Sequence, residues 1–370
     1  MGAHVTKVEP PGTGELMRSM GASDTPLMSH GFVGQNANKH SIALDLKHPD
    51  AAPVVEQLIR NSDVLVHNMR PGVPDRLGIG VAAARELNPK LIYCAISGYG
   101  QHGPASERPA LDHLMQGESG MFDATGPVDG PAMRVGFAVA DSSTAVIASS
   151  AICAALYRRS QTHQGVFLDV SMLECCLTVM GLNSYTYLGS GYCMPRVGPN
   201  PLAQVGSVGT FPTKTDSLLV NANNHRLFER LAEAVGYPGL VERYPAGPVF
   251  REEWESLRLE FAAIFETRSA DEWEAVLTAA GVPVGQVRHL SRVFENPQLA
   301  YRKAVTKIGS QRYINAGFQV DGEATSPSRP ADALGDSSIQ VLRELGLSDS
   351  EVDALLSSGA VVAGDSSPKS

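Results

Sequence analysis

The chain has 370 residues, of which 43% are hydrophobic and 19% charged, and its formal net charge is −9. These values predict a globular protein of two lobes or one large α/β unit, and the acidic balance argues against a nucleic-acid partner. The five cysteines lack the spacing of a zinc site, and no run reaches the roughly 18 to 20 apolar residues of a membrane span. We therefore expect a cytoplasmic protein with reduced thiols and without a metal or a membrane partner.

Strand and helix patterns alternate through the first half of the chain. They predict strands at residues 4–9, 40–46, 63–68, 91–97 and 165–172, the third of them buried, and helices at 48–62, 80–90 and from Asp141 to about Arg159, with another apolar helix after the last strand. This alternation is typical of an α/β fold in which helices cover both faces of a parallel sheet.

The second half of the chain has a different hydrophobic pattern, which predicts amphipathic helices at residues 225–236, 251–265 and 269–281. The last of them begins with a capping box, Ser269 and Glu272. We predict a large domain at 1–199, a small α+β domain at 200–325 and a C-terminal segment at 326–370. The tail from residue 363 is expected to be disordered.

One segment raises a question about chemistry. The stretch GFAVADSSTAVIASSAICAALY, residues 136–157, contains a single charged side chain, Asp141. A carboxylate in this setting is either the N-cap of the following helix or a nucleophile kept away from competing charges. The residues alone favour the N-cap, which is the commoner role of an aspartate before a helix.

Eight blocks, in the same order along the chain, resemble the family III CoA-transferases, a family that includes the α-methylacyl-CoA racemases. These blocks include NKHSIALDLKHPD, DVLVHNMRPGVPDRLGIG, LNPKLIYCAISGYGQHGP, GFAVADSSTA and THQGVFLDVSMLE. The resemblance implies a Rossmann-like large domain, a smaller domain, a C-terminal segment that returns to the large domain, and an interlocked homodimer. It also implies that Asp141 is the nucleophile and that Asp169 is not.

The same resemblance implies where coenzyme A binds. Lys47 and Arg76 would contact its phosphates, and the turn at Asn68 would face its adenine. The complete set of implied CoA contacts is Leu44, Lys47, Asn68, Met69, Arg70 and Arg76. Asp112 would lie at the edge of the active site, and His113 is given no role. The CoA thioester is then a substrate, together with a free carboxylic acid, and no cofactor is implied.

Three functions remain open on this basis. A CoA-transferase needs only the one aspartate, whereas a racemase needs two bases on opposite faces of the α-carbon. The racemases place a histidine where this chain has Leu111, and a leucine cannot move a proton, so the transferase is favoured. The third possibility is an inert CoA-binding remnant.

The chain also departs from the family pattern. Family members carry a strand, a loop and a helix before the part that matches residue 1, so we expect the central first strand to be missing and the chain to be poorly soluble or inactive. Restoring roughly 25 to 30 upstream residues should rescue it. Pro10 replaces a basic CoA contact, and QVGSVGTF replaces the glycine-rich flap of formyl-CoA transferases, which argues against an oxalate-specific enzyme.

Overall fold

The computed structural model describes residues 2–200, 205–245 and 254–364. Residues 251–253 of one predicted helix and residues 365–370 of the predicted disordered tail lie outside this described part.

The described residues form short strands and helices that follow the predicted order. The strands are β1 (Val5–Glu9), β2 (Lys39–Leu44), β3 (Val64–His67), β4 (Ile92–Ser97), β5 (Val166–Ser171), β6 (Val208–Pro212), β7 (Ser217–Asn221), β8 (Val284–Gln286), β9 (Val305–Ile308), β10 (Gln311–Ile314), β11 (Gln319–Val320), β12 (Glu323–Ala324) and β13 (Val361–Val362). The helices are α1 (His30–Asn36), α2 (Ala52–Asn61), α3 (Val73–Arg76), α4 (Val81–Leu87), α5 (Asp112–Glu118), α6 (Val139–Thr162), α7 (Met172–Val179), α8 (Gly181–Ser190), α9 (His225–Ala234), α10 (Gly239–Arg243), α11 (Trp254–Phe265), α12 (Ala270–Ala279), α13 (Leu290–Val293), α14 (Pro297–Tyr301), α15 (Ser338–Glu344) and α16 (Asp349–Ser358).

The chain divides into two compact units. The first comprises Met1–Leu111, Ala140–Cys175 and Asn296–Ser370, and the second comprises Asp112–Val139 and Cys176–Glu295. The predicted domain limits at 1–199, 200–325 and 326–370 stay predictions.

The first unit is a mixed α/β structure with parallel strands, as the sequence predicts. Strands β3, β4 and β5 run parallel in that order, and β1 pairs in parallel with β2, whose other edge carries β13 in the antiparallel direction. The described strands of this unit therefore form two three-stranded sheets, with β1 and β3 each at an edge, and two two-stranded sheets, β9–β10 and β11–β12.

These edges correct the expectation that β3 is a buried strand. Val66 of β3 is 51% exposed, and Val8 of β1 is 39% exposed. The physical reason is that each strand has a hydrogen-bonded neighbour on one side only, so the apolar run that predicts burial lies at an open sheet edge.

The alternation of side chains along β4 divides the core of this unit. Tyr93 and Ala95 pack into a cluster that includes residues of α2, α15 and α16. Cys94 packs on the opposite face with Ala148 of α6 and Val170 of β5. Helix α6 therefore lies against one face of the parallel strands.

A buried polar cluster ties the start of the chain to its C-terminal segment. Arg18 donates from Nε and Nη2 to the two carboxylate oxygens of Glu9, at 2.7 Å each, and from Nη2 to the backbone carbonyl of Asp332 at 3.3 Å. Ser41 of β2 donates from its hydroxyl to Glu9 at 2.7 Å. Burial alone raises the pKa of Glu9, but these hydrogen bonds and the charge of Arg18 outweigh it and leave the pKa lowered.

The second unit contains the antiparallel sheet β6–β7–β8 and an aromatic core. Phe265 stacks on Phe261, and Trp273 contacts Phe265 edge to face and donates from Nε1 to its backbone carbonyl at 2.9 Å. The predicted capping box of Ser269 and Glu272 is present at the start of α12.

Candidate active site

Asp141 lies in the first turn of α6 rather than at its N-cap. The helix begins at Val139, so Asp141 is its third residue, and the structure places an exposed side chain there. The sequence predicted that the helix begins at Asp141, and the structure corrects this start to Val139, two residues earlier. The hydroxyls of Ser143 and Thr144 both donate to the carbonyl of Ala140, at 3.2 and 2.7 Å, so they bond back to the backbone of the same helix.

The direction of α6 shows at which end of the sheet Asp141 lies. Near the far end of the helix, Arg159 donates to the backbone carbonyls of Asp63 and Lys90, at 3.2 and 3.3 Å. Asp63 directly precedes β3, and Lys90 lies two residues before β4. Since the C-terminal end of α6 lies at the amino ends of the parallel strands, its first turn lies toward their carboxyl ends.

A contact next to β5 supports this direction. Cys175 follows β5 by four residues and shares a side-chain hydrogen bond with Thr144, the sixth residue of α6. Burial raises the pKa of the Cys175 thiol, and this hydrogen bond lowers it by less. Asp141 therefore lies at the carboxyl edge of the parallel sheet, where ligands of open α/β sheets bind.

The turn predicted to bind CoA follows β3 at the same edge. Asn68, Arg70 and Arg76 are exposed on it. The turn needs glycine at residue 72, which has a φ of 75° and accordingly lies in the left-handed region. A Cβ atom on Gly72 would lie 3.5 Å from Nη1 of Arg76, so this guanidinium folds back over the turn. Asn68 and Arg70 thus lie on the turn and Arg76 ends α3, and all three are exposed.

The remaining implied contacts lie partly in the core. Leu44 is 1% exposed at the end of β2, and Met69 is half-buried against the same core cluster. Lys47 is exposed on the turn after β2, where its backbone N–H donates to Oδ1 of Asp45 at 3.0 Å. Leu44 and Met69 therefore anchor the two turns through their side chains, and Lys47 presents a charge to solvent.

Asp112 is the first residue of α5 in the second unit. It is half-buried and accepts a hydrogen bond from Nε2 of Gln116, one helical turn later, at 2.6 Å. Gln116 is fully buried and its Oε1 also accepts from the backbone N–H of Val135 at 2.9 Å. His113 is exposed. The structure thus gives Asp112 a fixed partner within its own helix.

Asp169 has a structural role that agrees with its exclusion as the nucleophile. Both of its carboxylate oxygens accept from the backbone N–H of Gln101, at 3.1 and 3.0 Å. The Asp169 carboxylate therefore links the loop after β4 to β5, and both of its oxygens are engaged in this hydrogen bond.

The sequence reasoning missed His67, the last residue of β3. It is 8% exposed, and its Nδ1 accepts a hydrogen bond from the backbone N–H of Met69 at 3.2 Å. Its position directly before Asn68 was the available signal, because a polar residue at the carboxyl end of a strand often faces a site.

Among the described residues, no group of three histidine, cysteine, aspartate or glutamate side chains could hold a metal ion. One helix in the same part of the chain, α6, is long and apolar enough to cross a membrane by length and composition alone, with a mean hydropathy of 1.5, and 22% of that stretch is buried. This helix contains no unbroken run of 18 apolar residues, so the expectation drawn from apolar runs is not contradicted by this weaker test of average hydropathy. Asp141 and its hydroxyl neighbours interrupt the run of apolar residues but do not prevent a high average over 18 residues.

The fold and the site together define an α/β protein whose candidate nucleophile lies at the carboxyl edge of a parallel sheet. The model of CoA-transferase family III matches residues 1–338. The chain belongs to CoA-transferase family III. The resemblance seen in the sequence and the predicted activity, transfer of CoA, are confirmed at this level.

Several characterised relatives are similar over most of their length. Human succinyl-CoA:glutarate CoA-transferase is 29% identical over 98% of this chain and 84% of its own. The acetyl-CoA:oxalate CoA-transferase of Acetobacter aceti is 32% identical, with 89% and 85% covered. The succinate–glutarate CoA-transferase of Agrobacterium fabrum is 31% identical, with 93% and 89% covered. The crystal structure of a CaiB/BaiF family protein from Brucella suis has a TM-score of 0.84 and 27% identity, with 93% of this chain and 92% of that one covered.

Proposed function

We propose that this CoA-transferase moves CoA from a short acyl-CoA to a free dicarboxylic acid, with Asp141 as the covalent nucleophile. The observation that carries the proposal is the position of Asp141 in the first turn of α6, at the carboxyl edge of the parallel strands. The names of the human, Acetobacter and Agrobacterium relatives contain succinate, glutarate or oxalate, which supports the dicarboxylate class.

A carboxylate can carry out the whole transfer. The Asp141 carboxylate attacks the thioester carbonyl, the C–S bond breaks, and a mixed anhydride and CoA thiolate form. The thiolate then attacks the aspartyl carbonyl, which expels the donor acid and leaves an aspartyl-CoA thioester. The acceptor acid repeats these two steps in reverse, so that its acyl-CoA leaves and the carboxylate of Asp141 is restored. No oxidant and no metal ion is needed in this balance.

The start of α6 suits this sequence of steps electrostatically. The first backbone N–H groups of a helix have no partner within the helix, and its dipole favours negative charge at that end. Asp141 lies within this turn, so both its carboxylate and the oxyanions that form beside it are stabilised there. Ser142, Ser143 and Thr144 add no competing charge.

The CoA moiety is assigned to the two turns after β2 and β3. Lys47, Arg70 and Arg76 are exposed cations that can pair with phosphate groups, and Asn68 can donate to or accept from a base. Leu44 and Met69 hold these turns on the core. Asp112 is assigned to the edge of the site.

We also propose a homodimer, whose interlocked arrangement stays a prediction, and a cytoplasmic location. The cysteines, all free thiols, support the cytoplasmic location. The support for the homodimer is helix α6, which carries apolar side chains on an exposed face. Val146 is 68% exposed and Tyr157 72% exposed, and Cys153 is an exposed thiol. Residues 146, 153 and 157 fall within about 40° of one another around a helix. A water-facing helix normally carries charges on this face, so a second copy of the chain is the expected cover.

Trapping of the intermediate tests the assignment of Asp141. Incubation of the protein with a donor acyl-CoA and no acceptor should add the mass of CoA. Borohydride should then reduce the thioester, which releases CoA and leaves residue 141 as an alcohol that marks its peptide. Asp141→Ala should lose both the adduct and the transfer of CoA from succinyl-CoA to glutarate, mesaconate or oxalate. Asp169→Asn is the matched control and should still form the adduct. An adduct in Asp141→Ala would disprove the assignment, and no transfer with any acid of the panel would support an inert CoA-binding protein.

A further inference from the structure

His67 joins the last hydrogen-bonded position of β3 to the turn that carries Asn68, Arg70 and Arg76. Its Nδ1 atom accepts the backbone N–H of Met69, two residues further on. A ring nitrogen that accepts carries no proton, so the neutral ring holds its proton on Nε2. This bond fixes the direction in which the chain leaves the strand.

The ring is locked in place by its surroundings. It contacts Tyr93 of β4 edge to face, with 5.3 Å between the ring centroids. Tyr93 is itself fixed, because its hydroxyl donates to the backbone carbonyl of Ile79 at 2.8 Å. His67 therefore connects β3, β4 and the turn that leads from α3 to α4.

A structural explanation alone does not account for a histidine here. Nε2 of His67 is buried and has no hydrogen-bond partner among the described residues. A buried N–H without a partner destabilises the fold, so a leucine of similar volume would be better if the position only filled space. The bond from Met69 to Nδ1 is the feature that distinguishes histidine from leucine at this position.

We propose that His67 is a positioning residue for the CoA-binding turn and that it acts only in its neutral form. Protonation of Nδ1 would remove the acceptor of the Met69 N–H and release the turn on which Asn68, Arg70 and Arg76 lie. This inference rests on the proposed function, since it takes that turn to be part of the CoA site.

The charged surroundings of His67 agree with a neutral ring. Burial lowers the pKa of His67 below its ordinary value, and the carboxylate of Asp75 on α3 offsets this only in part. From the side of β4 the facing group is the phenol of Tyr93, whose pKa is raised to about 12 by burial and by Asp75, so it stays uncharged. Since the ordered turn favours the neutral ring, its stability falls as the pH drops below the ordinary histidine pKa of about 6.5.

Two substitutions separate the acceptor from the rest of the side chain. His67→Leu removes the acceptor, and the KM for acyl-CoA should rise about 2- to 10-fold at pH 8, the effect of one hydrogen bond, with a smaller change in kcat. His67→Asn places Oδ1 where it can accept the Met69 N–H but cannot be protonated. Its KM should return close to that of the wild type at pH 8 and should lack the wild-type rise below about pH 6.5.

Controls remove other sources of a pH effect. A phosphate monoester also titrates near pH 6, but the ratio of KM for the wild type to KM for His67→Asn cancels this contribution. His289 makes the same kind of bond, from the backbone N–H of Ser291 to Nδ1 at 3.4 Å, in the second unit. His289→Leu should therefore leave the KM for acyl-CoA unchanged.

Hydrogen exchange at the Met69 amide gives a readout that does not depend on activity. The amide should be protected in the wild type and in His67→Asn, and should exchange faster in His67→Leu. A KM ratio that stays constant from pH 8 to pH 5.5, or a Met69 amide equally protected in all three proteins, would overturn the inference. If all three proteins show the expected exchange but CoA does not bind, the proposed CoA site is wrong and the structural role of His67 stands. If His67→Leu does not fold, the pH dependence of the wild type relative to His67→Asn remains decisive.

Discussion

Arg18 and Glu9 form a two-pronged ion pair inside the first unit, with Nε and Nη2 of the guanidinium each 2.7 Å from a carboxylate oxygen. Both side chains are almost fully buried, at 0% and 1% exposure. Removal of one partner from such a pair leaves a buried charge without compensation, which costs about 3 to 5 kcal/mol. Arg18→Met should lower the free energy of unfolding by this amount, measured by urea denaturation.

The control for this substitution is Arg343→Met, which removes the exposed pair of Arg343 with Asp349 and should leave the free energy of unfolding within error. In the double variant Glu9→Gln with Arg18→Met, most of the lost stability should return, because no unpaired charge remains. If the double variant loses as much free energy of unfolding as the two single variants lose together, the ion pair is not the source of the loss.

Protonation of Glu9 should lower the free energy of unfolding at acidic pH. Its folded-state pKa is lowered, so its carboxylate stabilises the fold above the unfolded-state pKa of about 4.3, and this contribution disappears as the pH falls through the folded-state value. We expect the difference in free energy of unfolding between the wild type and Glu9→Gln to be constant from pH 7 to pH 5 and to shrink below about pH 4.3. Denaturation curves at a series of pH values measure it. A difference that grows on acidification would contradict the assignment.

Much of the fold follows from local patterns. The strands β1 to β5 and the capping box at Ser269 are predicted because alternation and capping are local properties of the chain. The start of α6 was misplaced by two residues because Asp141, Ser142 and Ser143 are residue types that also cap helices, so they do not fix which position begins the helix.

Properties that depend on distant residues were not predictable. The contact between Arg18 and the carbonyl of Asp332 joins positions 314 residues apart, and no local pattern contains it. The exposure of Val66 likewise depends on which strands lie beside β3 and not on its own sequence. The residues alone raised Asp141 as a possible nucleophile, and the other candidate site residues could be proposed only by resemblance to a family. The role of His67 depended on seeing which atom accepts the Met69 N–H.

Arg76 should contribute to binding more than to chemistry. Its guanidinium lies over the turn at Gly72, and a charge-assisted bond to phosphate is made about equally in the ground state and the transition state. Arg76→Glu should raise the KM for acyl-CoA about tenfold or more with a smaller change in kcat. Arg85→Glu, an exposed arginine on the neighbouring helix α4, is the control and should leave the KM unchanged. An unchanged KM in Arg76→Glu would remove Arg76 from the CoA site.

Racemisation of 2-methylacyl-CoA should be absent. The racemases have a histidine where this chain has Leu111, which is 61% exposed and carries no group that can move a proton. A single epimer incubated in deuterated water should therefore gain no deuterium at the α-carbon beyond the rate without protein, as measured by mass spectrometry. Fast exchange that is lost in Asp141→Ala would show that Asp141 abstracts the α-proton with another base, and the assignment of Asp141 as a nucleophile would be withdrawn.

The exposed face of α6 should bring two copies of the chain together. Val146, Cys153 and Tyr157 form this face, and a charge placed on it would have to be desolvated in a dimer. Val146→Lys combined with Tyr157→Lys should therefore shift the protein to the monomer mass of 39.3 kDa, measured by light scattering after size exclusion. The Cys153 thiol should react slowly with a maleimide in the wild type and rapidly in the double variant. Tyr301→Lys, at a residue 84% exposed on α14, is the control and should remain dimeric. A wild type that elutes as a monomer with a freely reactive Cys153 would show that this face of α6 is open to solvent.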